Sequence, residues 1–163
     1  MTIIALFAAF LLTVSAHTER VFDSMEGYKA PLFTVAASTG ETVSLEQMKG
    51  RYVILTFWES TNPESRINVN RFEAMASMLG KEKLSLLALN MDSKAKLFEQ
   101  IKRVDNLSAG THVNVSSDNR EMLENLYHLK SGHNSYLIDP QGEIVAINPS
   151  NNVIENIVKG IAN

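Results

Sequence analysis

The chain has 163 residues, of which 45% are hydrophobic and 20% are charged, a balance typical of one globular domain with a sizeable core. Its formal net charge of -3 gives no electrostatic basis for binding nucleic acid or an anionic membrane surface. The chain has no cysteine, which excludes thiol chemistry, structural disulfides and cysteine-bound metals.

The first sixteen residues differ in character from the rest of the chain. Residues 3–14 are almost wholly apolar, and Val14, Ser15 and Ala16 place small residues where signal peptidase requires them. The run is shorter than the roughly 20 apolar residues of a membrane-spanning helix, and no basic residue precedes it. We predict a signal peptide over 1–16, export to the periplasm or cell surface, and no membrane attachment after cleavage. A retained anchor and a misassigned start site are the alternatives.

A polar lead-in over 17–30 precedes the domain that we predict over 31–163. Residues 32–35 and 42–45 are short apolar runs on either side of a turn, and they predict a β-hairpin. Residues 51–58, RYVILTFW, form a continuous run rich in β-branched and aromatic side chains. Such a run is typical of a strand that is buried on both faces of a sheet.

A helix is predicted to begin shortly after this strand. Asn62 suits the N-cap, Pro63 suits the first helical position, and Glu64 places a negative charge in the first turn. Met75 and Met78 are interpreted as core or near-core filler, not as a copper-binding or partner-binding stripe. The apolar spacing assigns the inner face of the helix to Ile67, Phe72, Met75 and Leu79.

The remaining elements continue the alternation of strands and helices. The patterns predict strands over 84–90 and 112–116, helices over 94–104 and 120–129, a hairpin of 135–138 with 143–147, and a closing helix lined by Val153, Ile154, Ile157, Val158 and Ile161. This order predicts an α/β fold with a central mixed sheet and helices on both of its faces.

Several segments together resemble a known family. Residues 30–33 (APLF), 49–58 (KGRYVILTFW), Met91-Asp92, Tyr127 and 136–142 (YLIDPQG) have the order and spacing of the redoxin branch of the thioredoxin superfamily, which comprises AhpC/TSA and TlpA/ResA-type proteins. The resemblance covers roughly residues 28–162. It implies a thioredoxin-like fold with an N-terminal β-hairpin, and in active members it implies thiol–disulfide or peroxide chemistry.

The chain departs from this branch at its active site. Active members carry a W-x-x-x-C-x-x-C-type segment after the central strand, and Asn62 and Ser65 occupy its two cysteine positions here. The branch's chemistry needs a thiolate, which neither side chain provides. His133 stands where active members have a cis-proline, and a cis bond before a non-proline residue costs about 3–4 kcal/mol. We therefore expect a trans bond there and regard Asn62, Ser65 and His133 as vestigial positions.

The resemblance places several polar residues and one aromatic residue at the carboxyl ends of the strands, where α/β sheets bind ligands. Our favoured interpretation is a redox-inactive binding or accessory domain whose groove takes a protein or peptide of the cell envelope, without catalysis and without a cofactor. Trp58 is then either an exposed binding platform or a side chain packed beneath the loop. The groove comprises Trp58, Glu59, Thr61, Asn62, Ser65, His133 and Asn134.

Two alternatives stay open. In the first, the protein is a non-thiol enzyme with Ser65 as nucleophile, His133 as base and Glu59 as the residue that orients the base. In the second, the protein is classed as a thiol–disulfide oxidoreductase or peroxidase through its family alone. Such a name describes the chain's ancestry and not its activity. No metal site is predicted, because the four histidines lack a ligand spacing such as H-x-x-x-H; they are His17, His112, His128 and His133.

Overall fold

A computed structural model describes the chain over residues 25–131 and 135–160. The predicted signal peptide, His133 and Asn134 lie outside the described residues and stay predictions, as do the proposed domain boundaries. None of the described helices is long and apolar enough to cross a bilayer.

Strands and helices alternate along the described chain. The strands are β1 (Thr34–Ala36), β2 (Thr42–Ser44), β3 (Tyr52–Trp58), β4 (Leu84–Asn90), β5 (Thr111–Asn114), β6 (Ser135–Ile138) and β7 (Ile144–Ile147). The helices are α1 (Pro63–Leu79), α2 (Ala95–Val104), α3 (Ser117–Leu126) and α4 (Asn151–Lys159). Short 3-10 turns occur at Glu46–Met48 and Leu129–Ser131.

Five of the strands form a mixed sheet in the order β5-β4-β3-β6-β7, and β1 and β2 form a separate antiparallel hairpin. β3 pairs in parallel with β4, from Tyr52 opposite Leu84 to Trp58 opposite Asn90. β5 is parallel to β4, β6 is antiparallel to β3, and β7 is antiparallel to β6. The predicted thioredoxin-like arrangement of a mixed sheet with an N-terminal hairpin is confirmed.

The central strand β3 separates two apolar cores, because successive side chains of a strand point to opposite faces of the sheet. Val53, Leu55 and Phe57 pack in the core formed with the hairpin and α3. Ile54 and Trp58 pack in the core formed with α1, α2 and α4. Helices therefore cover both faces of the sheet, and the continuous apolar run of β3 is explained by its burial on both sides.

The described part of the lead-in covers the outer edge of β7. The backbone N–H of Gly27 donates to the carbonyl of Ile144 at 2.8 Å. The carboxylate of Glu26 accepts from the backbone N–H of Ile147 at 3.0 Å. These bonds occupy backbone groups of an edge strand that could otherwise pair with another chain.

Two buried tyrosines connect the N-terminal segment, the end of α3 and β6. The hydroxyl of Tyr127 donates to the carbonyl of Pro31 at 2.6 Å, and the hydroxyl of Tyr136 donates to the carbonyl of Tyr127 at 2.7 Å. The two rings meet edge to face with centroids 5.2 Å apart. Burial, with a smaller effect of Tyr136, raises the pKa of Tyr127 well above its usual value, so its hydroxyl stays a hydrogen-bond donor.

Two predicted placements on α1 are wrong, that of Ile67 on the inner face and that of Met78 in or near the core. Ile67 is 68% exposed and Met78 is 59% exposed. The buried stripe of α1 consists of Ser65, Val69, Phe72, Met75 and Ala76, which leaves Ile67 on the outer side.

The start of α3 also differs from the prediction, because the helix begins at Ser117, earlier than the predicted residue 120. Asn119 in its first turn accepts from the backbone N–H of Ala36 at 2.9 Å and holds that turn against β1.

Candidate functional site

The predicted vestigial active site lies where β3 ends and α1 begins. Asn62 is the N-cap of α1, with extended backbone angles, and its side-chain oxygen accepts from the backbone N–H of Ser65 at 3.1 Å. Pro63 follows as the first helical residue. The predicted cap is confirmed: Asn62 stabilises the free N–H groups of the helix start. The sequence resemblance assigns a cysteine to this position.

Ser65 is only 7% exposed. Its hydroxyl lies 3.3 Å from the carbonyl of Asn62 and 3.4 Å from the carbonyl of Glu59, and it also lies 3.4 Å from the N–H of Glu59. The hydroxyl thus fastens the loop to the helix through backbone atoms. The carboxylate of Glu59 is exposed and has no hydrogen bond or ion pair within the described residues.

A buried network of polar side chains binds the loop between β3 and α1 to the ends of β4 and β5. Asp92 accepts from the backbone N–H of Ser60 at 3.1 and 3.2 Å and from the side-chain amide of Asn90 at 3.1 Å. The side-chain amide of Asn114 donates to the side-chain oxygen of Asn90 at 2.8 Å and to the carbonyl of Asp92 at 2.9 Å. The ends of β4 and β5 are thereby tied to the loop, and this network was not predicted from the sequence.

Trp58 does not form an exposed platform. Its side chain is 2% exposed and lies 6.0 Å from Phe98 of α2, measured between ring centroids. Its indole N–H has no hydrogen-bond partner among the described residues. The interpretation of Trp58 as a binding platform is wrong, and the ring packs beneath the loop because β3 directs it into the core shared with α1 and α2.

A cavity of about 330 Å³ opens beside the start of α1. Its wall combines half-buried apolar side chains, Met91 and Leu129, with the exposed charged side chains of Glu59 and Lys130. A mixed wall of this kind suits a polypeptide ligand that presents both an apolar side chain and polar groups. The lining residues are Phe57, Trp58, Glu59, Asn62, Ser65, Met91, Glu124, Leu129 and Lys130.

The predicted groove is divided by the start of α1. Thr61 lies on the other side, where it lines a second cavity with Pro63, Ile67 and the ion pair of Arg66 with Asp105. Arg66 donates to Asp105 at 2.6 and 3.0 Å, and its guanidinium holds the pKa of that carboxyl below its usual value. Trp58, Glu59, Asn62 and Ser65 share the first cavity, whereas Thr61 does not line it.

Glu73 and His112 form a buried contact away from this loop. The Nε2 atom of His112 lies 2.8 Å from the carboxylate of Glu73, which also accepts from the backbone N–H of Gly110 at 3.2 Å and from those of Ser108 and Ala109. Burial lowers the pKa of His112 below its usual value, against the opposing effect of Glu73. The contact fastens α1 to the loop before β5, and its partners are too far apart in sequence for a spacing motif.

His133 and Asn134 lie outside the described residues, so the proximity of His133 to Ser65 stays a prediction. Within residues 25–131 and 135–160, no peptide bond is cis. In the same part of the chain, no group of three or more histidine, aspartate or glutamate residues could hold a metal ion.

Comparisons with known proteins agree with the fold. The AhpC/TSA family model matches residues 27–147. The chain is 28% identical over 86 residues to the thioredoxin-like protein YneN of Bacillus subtilis, covering 53% of this chain and 50% of that protein. It is 25% identical over 127 residues to the thiol-disulfide oxidoreductase ResA of the same organism, covering 75% of this chain and 66% of that protein.

Among solved structures, the thioredoxin domain of a thiol-disulfide oxidoreductase from Bacteroides vulgatus superposes with a TM-score of 0.74 at 22% identity. The superposition covers 85% of this chain and 99% of that domain. The chain spans about half the length of the first curated relatives that it matches. The structural likeness at this level of identity concerns the fold.

Proposed function

Because the chain belongs to the AhpC/TSA family yet contains no cysteine, we propose that it is an exported, redox-inactive thioredoxin-like domain that binds a protein or peptide in the cavity beside its vestigial active site. Thiol–disulfide exchange and peroxide reduction by this family require a reactive thiolate. Without one, the family's name describes the ancestry of the fold. The proposed export depends on the apolar segment over 1–16.

The observation that carries the binding proposal is the set of hydrogen bonds that orders the loop beside the cavity. Asn62 caps α1, Ser65 fastens the loop through backbone atoms, and Asp92 holds the loop from below. A loop held in this way keeps its shape without a ligand, so a partner loses less conformational entropy of the protein on binding. These hydrogen bonds order the loop beside an open cavity in a chain that has no thiol, which supports a role in binding.

The contacts of Ser65 argue against the non-thiol enzyme. A serine nucleophile needs a base within hydrogen-bond reach and an accessible hydroxyl. The Ser65 hydroxyl is instead surrounded by the backbone atoms of Asn62 and Glu59 and is largely buried. Its described contacts explain its presence as a structural link between the loop and the helix.

Site-specific photo-crosslinking tests the location of the partner site. A photoreactive amino acid is placed at Leu129, in the wall of the cavity, and in a separate variant at Met78, an exposed control position near the other end of α1. In the native host, we expect a discrete crosslinked product from position 129 that is lost when Met91→Glu is added. Equal crosslinking from position 78, or crosslinking insensitive to Met91→Glu, would show that the cavity is not the binding site.

Export is tested separately by fractionation and intact mass. Protein recovered from the cell envelope or medium should begin at or near His17. Recovery of a membrane-embedded form that retains Met1 would support the anchor instead.

A further inference from the structure

Another cavity, distinct from the two described above, lies at the opposite end of the sheet from the vestigial active site. It has a volume of about 370 Å³ and lies between the β1–β2 hairpin and the first residues of β3, β4 and β5. Its wall contains polar and basic side chains and, unlike that of the cavity beside α1, no carboxylate. The lining residues are Thr42, Val43, Ser44, Gln47, Met48, Arg51, Lys81, Ser85, Leu86, Ala109, Gly110 and Thr111.

Two positive charges line this cavity and have no protein partner in the described part of the chain. Arg51 directly precedes β3, and Lys81 lies in the turn that leads from α1 to β4. The backbone N–H of Tyr52 donates to the carbonyl of Lys83 at 3.2 Å, which holds these two stretches side by side. The lining residues include no carboxylate. In a chain of net charge -3, this is a local excess of positive charge.

Two nearby lysines, by contrast, are paired with carboxylates. Lys29 pairs with Glu143 at 3.1 Å, and Lys49 pairs with Glu46 at 3.3 Å. Both of these lysines line a different, mainly apolar cavity. Arg51 and Lys81, the charged residues of the wall, have no such partner in the described part of the chain, so an anion could approach them without meeting a carboxylate in the wall.

Hydroxyl and amide groups surround the two cations. The side chains of Thr42, Ser44, Ser85 and Thr111 contribute hydroxyls, and Gln47 contributes an amide. Each of these groups can both donate and accept hydrogen bonds. They suit a ligand body that carries hydroxyl groups.

The wall formed by β4 and the segment that leads into β5 is closely packed. A Cβ atom added at Gly110, the residue before β5, would lie 2.7 Å from the side chain of Leu86 in β4. The N–H of Gly110 is held by the carboxylate of Glu73 at 3.2 Å. A wall fixed by packing and by a hydrogen bond is preorganised for a ligand.

We propose that this cavity binds a small phosphate monoester with a hydroxylated body, and that Arg51 and Lys81 contact its phosphate. A phosphate monoester carries close to two negative charges at pH 7, which matches two unpaired cations. The guanidinium of Arg51 can donate two parallel hydrogen bonds to phosphate oxygens, while Lys81 adds a point charge. The volume of about 370 Å³ falls in the range of small-molecule sites. This proposal is independent of the partner site beside α1.

The test is a titration of the full mature chain that is monitored in its ¹⁵N–¹H correlation spectrum. The probe is glycerol 3-phosphate, with glycerol as the neutral control, and ionic strength is kept constant with sodium chloride. We expect saturable shifts of the amide signals of Arg51, Ser85, Gly110 and Thr111 with the phosphate ester and none with glycerol. The signals of Asn62 and Ser65 should stay in place.

Matched variants test the two cations. Arg51→Gln and Lys81→Gln should each raise the dissociation constant about tenfold or more. Lys83→Gln removes the same charge from the same turn, but Lys83 does not line the cavity, so binding should be nearly unchanged. Lys81 is exposed, so its variant tests the proposal even if Arg51→Gln affects folding.

Three results would overturn the proposal. The first is the absence of saturable shifts at millimolar glycerol 3-phosphate, and the second is an equal response to glycerol. The third is an equal weakening by Lys83→Gln and Lys81→Gln, which would show a response to overall charge and not to this cavity.

Discussion

Asn62 performs one of the two tasks of the position that it occupies. A residue at the start of α1 can satisfy free backbone N–H groups, and in a redox-active relative it can also carry a reactive thiolate. The side-chain oxygen of Asn62 accepts from Ser65 N–H at 3.1 Å, so the first task is retained. The second is chemically impossible for an amide.

Replacement of Asn62 tests the cap directly. Asn62→Ala should lower the free energy of unfolding by about 0.5–2 kcal/mol, because a donor at the helix start loses its partner. Asn62→Asp should be tolerated or stabilising, since a negative charge is favoured at a helix N-terminus. Urea unfolding measures both, with Thr61→Ala as the control at an exposed neighbour. A value for Asn62→Ala equal to that control would contradict the role of the cap.

Glu73 and His112 make stability depend on pH. Burial keeps the pKa of His112 low, so the folded state resists a proton that the unfolded chain accepts near pH 6.5. Burial alone would raise the pKa of Glu73, but hydrogen bonds from His112 and backbone N–H groups outweigh it and hold that pKa low. Both groups therefore stabilise the fold at neutral pH. His112 loses this contribution as pH falls below about 6.5, and Glu73 loses its contribution below about 4.5.

Urea midpoints measured between pH 8 and pH 4 test this dependence. The wild-type midpoint should fall as the pH drops below about 6.5. His112→Gln should lower the midpoint at pH 7.5 and flatten its decline between pH 7 and pH 5. An unchanged decline in that variant would assign the pH dependence to other groups.

At the scale of elements, the close approach of β4 and Gly110, the residue before β5, gives a packing prediction. Gly110→Ala should destabilise the fold by about 1–3 kcal/mol, because the added methyl would lie 2.7 Å from Leu86. The backbone of Gly110 does not require a positive φ, so the cost comes from packing. In a Leu86→Ala background, the same change should cost less, because the contacts with the Cγ atom at 2.7 Å and the Cδ2 atom at 2.8 Å are lost while that with the Cβ atom at 2.8 Å remains. A double-mutant cycle by urea unfolding measures this coupling, and additive effects would contradict it.

The location of Asn62 and Ser65 at the start of α1 leads to a prediction for cysteines introduced at these two positions. The double variant Asn62→Cys with Ser65→Cys should place a thiol of lowered pKa at the helix N-terminus and give weak insulin-disulfide reduction. Adding His133→Pro should raise the rate, because the sequence resemblance assigns a cis-proline that shapes the substrate loop to this position. A full rate from the two cysteines alone would show that the loop change is unimportant.

Elements were predictable from the sequence where their signal is local. The apolar runs at 84–90 and 135–138 coincide with β4 and β6, and the Asn62 cap follows from three adjacent residues. Features that depend on tertiary contacts were missed. The polar first turn of α3 is held by the bond between Asn119 and Ala36, and Glu73 meets His112 only after folding. Ile67 was misplaced because an apolar residue in the first turns of α1 need not face the sheet.

The whole molecule should be inert in thiol assays. The purified chain should reduce neither insulin disulfides nor peroxide with any thiol reductant, because it has no cysteine. The insulin turbidity assay and peroxide consumption measure this against a buffer blank. A rate above the blank that disappears with Ser65→Ala would reveal chemistry at the vestigial site.

The strand order also determines when the molecule can fold as the chain is synthesised. β3 pairs with β4, which follows it closely in sequence, but its other neighbour is β6, and Thr56 pairs with Ser135. Until β6 leaves the ribosome, one edge of β3 is unpaired. The hydrogen bond from the N–H of Gly27 to the carbonyl of Ile144 can form only later still, when β7 has been made. The closure of these distant pairs costs loop entropy before any contact is gained. The native sheet therefore forms only after nearly the whole chain has been made.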